Sequence, residues 1–104
     1  MGRMIVLANA VEGRDDEYND WYDNTHVHEV LANGPFTAAQ RFKMADAQMG
    51  DVSHSYVAIY EFDGPPAEAL AALGAAASGF TPSDASSGDA QLFFVEELGP
   101  RVTG

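Results

Sequence analysis

No other stretch of the chain concentrates as many groups that could bind a ligand or move a proton as Asp15 to Leu31. It contains the single tryptophan, Trp21, and the histidines His26 and His28. An imidazole has an ordinary pKa near neutrality, so it can accept or release a proton at working pH. The stretch also carries tyrosine hydroxyls, which can donate hydrogen bonds to an oxygen that becomes negative. It therefore predicts acid–base chemistry or ligand binding beside aromatic rings.

The two histidines have different predicted roles. Aromatic residues recur at helical spacing here, and on a helix His26 and His28 point roughly 200° apart, so they cannot chelate one ion. We therefore expect no metal site. His26 is the candidate general acid or base; alternatively, it lies at a helix edge and bonds a backbone carbonyl. His28, nearer Trp21 on the helical wheel, is a second candidate for a pocket, or else a surface or interface histidine.

Aromatic residues of the same helix could form the wall of a binding site. Trp21, Thr25, Tyr18, Glu29 and Tyr22 share one face of the wheel. The Tyr22 hydroxyl could donate to a substrate carbonyl or enolate oxygen. Trp21 is a candidate substrate-binding residue, although an aromatic stripe is more often part of a hydrophobic core.

Further candidate substrate-binding residues lie on predicted strands. Tyr56 and Tyr60 share a strand face with His54, so they could form the opposite pocket wall or belong to a dimer interior. Arg41 could recognise an anion. It could equally form a buried ion pair, with Glu61 or Glu29 as the expected partner.

The pattern of apolar residues and turn signals predicts six elements in one domain, residues 1–104. The predicted elements are strand Arg3–Ala10, a helix from Asp15 or Asp16 to Leu31, strand Phe36–Met44, strand His54–Phe62, a helix from Ala67 to about Ala77, and strand Ala90–Glu96. On the second strand, alternation places Phe36 with Ala38 and Phe42 on one face, and Arg41 on the other. The segment Ser78–Asp89 is rich in glycine and serine and is expected to be a loop and a possible lid.

This β-α-β-β-α-β order predicts an α+β fold of the ferredoxin-like kind. Right-handed crossovers turn the order into a four-stranded antiparallel sheet with both helices on one face. In three strands, apolar residues occupy both the odd and the even positions, so both faces of the sheet carry apolar side chains. The face without helices must therefore also be buried. A second copy of the chain could cover it, which predicts a homodimer.

Composition excludes several classes of partner. The 104 residues carry a formal charge of −11 with five Lys plus Arg, so binding to nucleic acid or to an anionic membrane surface is not expected. The absence of cysteine excludes thiolate nucleophiles, disulfides and thiolate metal sites. The apolar run near the N-terminus is too short for a normal signal peptide, and no run reaches transmembrane length. A cytoplasmic protein is therefore expected.

The sequence resembles the EthD-like branch of the dimeric α+β barrel superfamily. The resemblance is carried by EYNDWYDNTHVHEVLA, then GPFTAAQRF, and more weakly by FFVEELGPRV near the C-terminus. Its matching residues include Trp21, Tyr22, His26, Arg41 and Phe42. The resemblance implies a homodimer whose sheets form a barrel, and a pocket between helices and sheet in each subunit. It also implies enzymes that act on hydrophobic aromatic or polyketide-like compounds, with haem in some members.

These observations predict a small cofactor-independent enzyme. Its substrate would be a hydrophobic carbonyl or phenol compound, with His26 and Tyr22 catalytic, and the reaction a cyclisation, decarboxylation, elimination or addition of O₂ to a carbanion. The alternative is a homodimer that binds a ligand, or serves as an accessory protein, without catalysing a reaction.

Overall fold

The computed structural model describes residues 1–104 as four strands, three α-helices and two short helical turns. In chain order these are β1 (Gly2–Ala8), α1 (Asp15–Trp21), a π-helical turn (Tyr22–His26), α2 (Val27–Leu31), β2 (Phe36–Lys43), β3 (Tyr56–Phe62), α3 (Pro66–Ala76), a 3₁₀ turn (Ala77–Gly79) and β4 (Gln91–Glu96). No helix combines the length and the apolar character needed to cross a membrane.

The strands form one antiparallel sheet in the order β2-β3-β1-β4. Strand β1 is central and pairs with β3 on one side and β4 on the other, so the first and last strands of the chain are neighbours. The helices lie on one face of this sheet. The predicted ferredoxin-like α+β fold is confirmed.

The hydrophobic core lies between the helices and the sheet. Alternate residues of β1 and β3 point into it, and the Tyr60 and Phe62 side chains are fully buried. From the helical side, Tyr18, Tyr22 and Val30 complete the core. The other face of the sheet, which we call the open sheet face, presents partly or largely exposed apolar side chains: Ile5, Leu7, Phe42, Val57, Ile59, Phe93 and Val95.

Strand β2 contains a β-bulge that changes which residues face the helices. Phe36 lies opposite Phe62, but Ala38 lies opposite the preceding residue of β3, so one residue of β2 is extra. Phe36 is therefore buried, whereas Phe42 is 42% exposed on the open sheet face. The simple alternation that placed Phe36 and Phe42 on one face was wrong because it assumed an uninterrupted pleat.

The helix after β1 is also irregular. Its backbone widens over Tyr22–His26, where the N–H of Val27 donates to the carbonyl of Tyr22, five residues earlier. Such a π turn acts as a one-residue insertion and delays the rotation of the following residues by about 100°. As a result Val30 points into the core at 2% exposure.

The segment between α3 and β4 is hydrogen-bonded to the connector between β1 and α1. The N–H of Val11 donates to the carbonyl of Ala85 at 2.7 Å, and Ala85 is fully buried. Arg14 donates to the carbonyl of Asp84 at 3.0 Å. The predicted loop is therefore present. These hydrogen bonds hold it beside the helices and the sheet.

Helix α3 packs closely because its side chains are small. A Cβ at Gly34 would lie 2.5 Å from the Cβ of Ala72, and Gly34 has a positive φ of 59°, so glycine is needed at this turn. Ala69 of α3 is fully buried, and Leu73 is its one large side chain directed at the core. Because the other core-directed side chains of α3 are small, a space remains between α3 and the sheet.

Candidate functional site

A cavity of about 130 Å³ lies between the sheet and the helices. Eleven of its 13 lining residues are hydrophobic. The lining residues are Met4, Val6, Ala8, Tyr18, Trp21, Tyr22, His26, Val30, Tyr60, Leu73, Ser86, Ala90 and Leu92. The structure therefore brings four of the predicted site residues together: Trp21, Tyr22, His26 and Tyr60.

His26 lies among aromatic rings on the cavity wall. Its ring stacks on Trp21 with the ring centres 4.7 Å apart, and lies nearly perpendicular to the rings of Tyr22, at 4.8 Å, and Phe80, at 5.4 Å. The Nδ1 atom is buried and has no hydrogen-bond partner. The alternative role, a bond to a backbone carbonyl at the helix end, does not occur.

The π turn explains why His26 reaches Trp21. In a regular α-helix, Trp21 and His26 would be about 140° apart around the helix axis, because they are five residues apart. The π turn takes up one extra residue, which reduces this angle to about 40°. The wheel prediction that His28 lies nearer Trp21 was therefore wrong. His28 is exposed and does not line the cavity.

Tyr22 and Tyr60 form a buried pair of hydroxyls. Their oxygen atoms are 2.7 Å apart, and either hydroxyl can donate to the other. Because two hydroxyls carry two protons and their shared bond uses one, one O–H donor remains available. The pair can donate this proton to the oxygen of a molecule in the cavity.

Burial controls the protonation of these groups. It raises the pKa of Tyr60 to about 12, and raises that of Tyr22 strongly, so both phenols are neutral at physiological pH. Burial also lowers the pKa of His26 below its ordinary value of 6.5, an effect partly offset by the negative charge of Glu29. The imidazole is consequently neutral near pH 7 and can accept a proton.

Arg41 and Tyr56 lie on the other side of the Tyr18 and Tyr22 rings, outside this cavity. Arg41 donates to Asp23 at 2.8 Å and to Asn19 at 2.9 Å. The predicted partners, Glu61 and Glu29, were wrong. The β-bulge places Arg41 on the helix-facing side of β2, directly beneath α1 and the π turn.

Tyr56 and His54 have other contacts. The Tyr56 hydroxyl donates to the Asp15 carboxylate and its ring packs on Tyr18. His54 is buried and bonds the Ser53 hydroxyl at 2.8 Å and the Asp89 carbonyl at 3.0 Å. Of the three residues considered for the opposite pocket wall, only Tyr60 lines the cavity.

Hydrogen bonds between the helix after β1 and the loop after α3 were not predicted. The Glu29 carboxylate accepts hydrogen bonds from the Thr81 N–H at 3.0 Å and the Thr81 hydroxyl at 3.1 Å. The Trp21 indole donates to the Thr81 carbonyl at 3.0 Å. The neighbouring Phe80 is thereby held against His26. A lone aromatic residue within a glycine- and serine-rich loop was the available sequence signal.

The comparison with protein families gives one match. The family described as "Domain of unknown function (DUF4286)" matches residues 5–67. The chain belongs to this family. The matched DUF4286 region includes the π turn, Arg41 and Tyr60, and ends at the start of α3. No functionally curated protein matches the sequence.

Solved structures share the fold of this DUF4286 chain. An EthD family protein from Bacillus halodurans is 17% identical with a TM-score of 0.67, covering 94% of this chain and 99% of its own. The Arabidopsis thaliana protein At3g17210 is 14% identical with a TM-score of 0.71, covering 98% and 100%. The haem degrader MhuD from Mycobacterium tuberculosis, solved with two haems in its active site, is 18% identical with a TM-score of 0.66, covering 98% and 100%. These similarities confirm the predicted ferredoxin-like α+β fold, which this chain shares with an EthD family protein.

The cavity is too small to hold a haem. A cavity of roughly 150 Å³ accommodates a benzene-sized molecule, and the present volume is about 130 Å³. A porphyrin carries four pyrrole rings in one plane, so it would require helix α3 or the loop after it to move away from the sheet. His26 is also covered by Trp21 and Phe80 on two sides.

Proposed function

We propose that this protein is a small cofactor-independent enzyme that moves a proton next to a carbonyl or phenol group of a hydrophobic compound. His26 serves as the acid or base, the Tyr22–Tyr60 pair as the hydrogen-bond donor, and Trp21 as part of the wall. One observation carries the proposal: an unpartnered imidazole nitrogen and a spare hydroxyl proton belong to side chains of the same apolar cavity.

The size and lining of the cavity favour a small ring. A volume of about 130 Å³ suits one aromatic or alicyclic ring. The lining is almost entirely apolar and contains no charged side chain apart from the titratable His26, which favours a substrate that enters the cavity uncharged. For a polyketide-like compound, one ring would occupy the cavity and the remainder would lie beyond it.

The proposed chemistry follows from the neutral states of these groups. The imidazole of His26 removes a proton from the carbon beside the carbonyl, and the electron pair moves onto the oxygen. The hydroxyl pair then donates a hydrogen bond to that oxygen, which is the position where negative charge develops. The resulting carbanion can close a ring, eliminate a substituent from the neighbouring carbon, or react with O₂. In a decarboxylation the same carbanion would form by loss of CO₂ instead of a proton, and His26 would then return a proton to the carbon.

The proposal includes a homodimer. The open sheet face is apolar and uncovered in one chain, with Phe93 48% and Val95 40% exposed. A second copy that packs its own sheet there would remove both apolar faces from water. The cavity lies on the opposite side of the sheet, so it would be complete within each subunit.

Exchange of a carbon-bound proton tests the proposal without knowledge of the natural substrate. Acetophenone and cyclohexanone in D₂O are followed by ¹H NMR for loss of the signal next to the carbonyl. The wild-type protein should accelerate this exchange, and His26→Ala should reduce the protein-dependent rate by roughly 10²- to 10⁴-fold, the usual contribution of general acid–base catalysis. Tyr22→Phe should reduce the rate less, because Tyr60 retains a hydroxyl.

The same substitution at His28 separates the two histidine assignments. If His28→Ala removes the exchange activity and His26→Ala preserves it, the assignment of the base is wrong. Near-ultraviolet circular dichroism establishes that each variant retains its packed aromatic core.

A second candidate function is ligand binding without catalysis. It is favoured by the absence of any hydrogen bond to His26, because catalytic bases are usually oriented by a third group. In that case single-ring ketones would bind in the cavity, while the wild-type protein and His26→Ala would show the same exchange rate as buffer.

A further inference from the structure

We propose that Arg41 is a positioning residue that makes the cavity selective for phenols and enols bound in their anionic form. It acts through the ring of Tyr22 and the hydrogen bond between the Tyr22 and Tyr60 hydroxyls. The inference rests on the site described under the proposed function, but it concerns which ligands the site selects and not whether it turns them over.

Arg41 is fixed behind the ring of Tyr22. Its guanidinium carbon lies 4.3 Å from the centre of that ring and 5.7 Å from the centres of both Tyr18 and Tyr56. Bonds to Asp23 and Asn19 hold two of its nitrogens, and the third, Nε, is buried with no acceptor. The charge is therefore held in one place against the aromatic wall.

The field of this charge reaches the cavity because burial limits its screening. The Arg41 side chain is 15% exposed, whereas that of its partner Asp23 is 59% exposed. A guanidinium stays charged at any accessible pH, and an exposed carboxylate is screened by water more effectively than a buried cation. The pair consequently presents a net positive field toward Tyr22.

A cation over an aromatic face withdraws electron density from the ring and makes its hydroxyl a stronger hydrogen-bond donor. Burial is the main cause of the raised pKa of Tyr60, and the charge of Arg41 opposes this rise. At Tyr22 the same charge opposes the combined effect of burial and Tyr60. The spare proton of the hydroxyl pair is thus directed to an oxygen that carries negative charge.

The predicted ligand class is a single-ring phenol or enol. Its oxygen would accept the spare hydrogen bond, and its ring would fill the apolar part of the cavity. On ionisation the proton leaves the ligand oxygen and goes to the His26 imidazole or, at higher pH, to solvent. The charged or titratable groups that act on the Tyr22–Tyr60 pair are Arg41, Asp23 and Tyr18. Beside them lie Tyr56, which contacts Arg41, and His26, on which Glu29 acts in turn.

The test uses 4-fluorophenol, a ring close to benzene in size, observed by ¹⁹F NMR across a pH series. The fluorine chemical shift reports whether the bound phenol is neutral or ionised. In the wild-type protein, the apparent pKa of the bound phenol should lie below that in Arg41→Met by about one pH unit, which is the order expected for a nearby unit charge in a protein interior. Affinity should fall about tenfold in Arg41→Met at a pH where the bound phenol is anionic.

A second variant should shift the apparent pKa of the bound phenol in the opposite direction. Asp23→Asn removes the opposing charge and keeps a polar group for Arg41, so the apparent pKa of the bound phenol should fall further. Arg101→Met, in the exposed C-terminal segment, makes the same change in net charge as Arg41→Met and should leave the value unchanged. If Arg41→Met fails to fold, the Asp23→Asn shift alone decides the matter.

The inference is overturned if 4-fluorophenol does not bind, if it binds only as the neutral phenol in every variant, or if Arg41→Met and Asp23→Asn shift its ionisation in the same direction. These outcomes are independent of the proton-exchange assay. Absence of exchange together with opposite shifts in the two variants would refute the proposed catalysis and support this selectivity.

Discussion

At the scale of single residues, His26 is set apart by its surroundings. Trp21 covers one face of the imidazole, and the rings of Tyr22 and Phe80 lie perpendicular to it. These three rings carry no negative charge to stabilise a protonated imidazole, and the charge of Glu29 offsets the effect of burial only in part. Burial therefore dominates, and the imidazole is most stable in its neutral form.

The pH dependence of stability should reveal this buried imidazole. The pKa of His26 is lowered from 6.5 in the folded state, so the unfolded chain binds the proton more readily. The free energy of unfolding should consequently decrease as pH falls through 6.5 and continue to decrease until the folded-state pKa is passed. In His26→Gln this component should be missing.

The measurement is urea unfolding followed by circular dichroism at several pH values between 7.5 and about 5, at one protein concentration, for both proteins. The difference in unfolding free energy between wild type and His26→Gln should change with pH in favour of the variant under acidic conditions. A difference that is constant across the series would mean that His26 titrates alike in the folded and unfolded chain.

At the scale of elements, the π turn decides which residues meet in the site. In a regular α-helix, Tyr18 and Val30 would be about 120° apart around the axis, because they are twelve residues apart. The π turn takes up one extra residue and reduces this angle to about 20°. Both are buried in the same core. The same shift places His26 on Trp21, so the packing of the core and the assembly of the site depend on one irregularity.

Deleting one exposed residue of the π turn tests this dependence. Without Asn24 the helix can continue with regular α-helical spacing, and either Tyr18 or Val30 must leave the core. We expect a loss of stability of roughly 2–4 kcal/mol, comparable to removing a large buried side chain, and loss of the His26 contact with Trp21. Urea unfolding and the pH dependence of Trp21 fluorescence measure the two effects.

The matched control is deletion of Met49, which is fully exposed in the loop between β2 and β3. It shortens the chain by the same amount away from any helix. Equal stability of the two deletion variants, with the tryptophan signal preserved in both, would show that the π turn is dispensable.

The sequence predicted regular features well and local irregularities poorly. The alternation of Ala58, Tyr60 and Phe62 was correct because β3 is an uninterrupted strand. The bulge after Phe36 and the π turn were missed because each inserts a residue without a distinctive signature, and each changes the phase of the residues after it. Those two shifts account for the wrong partners assigned to Arg41 and for the preference for His28 beside Trp21.

Contacts between distant segments were equally hard to foresee. Glu29 and Thr81 are 52 residues apart, and nothing in the spacing of either links them. The Tyr22–Tyr60 hydroxyl bond joins a helix to a strand 38 residues further along the chain. The sequence therefore indicated which residues carry the chemistry, whereas their pairing required the folded chain.

At the scale of the whole molecule, the chain is a thin two-layer body measuring 40 × 38 × 19 Å. One layer is the helices, the other is the sheet, and the core lies between them. The outer side of the sheet has no second layer, although Ile5 lies between Ile59 and Phe93 of the neighbouring strands. An apolar surface of this kind in a chain of 104 residues favours burial against a second copy.

A charged residue at the centre of the open sheet face should prevent the proposed dimer. Ile59→Lys places an ammonium group where two sheets would meet, and burying it without a partner is unfavourable. Size-exclusion chromatography with light scattering at micromolar concentration should show a dimer for the wild type and a monomer for Ile59→Lys. Leu70→Lys is the matched control, because Leu70 is 56% exposed on α3, on the helical side of the molecule. It should remain dimeric; a wild-type monomer, or a change of assembly in Leu70→Lys alone, would contradict the arrangement with the sheets face to face.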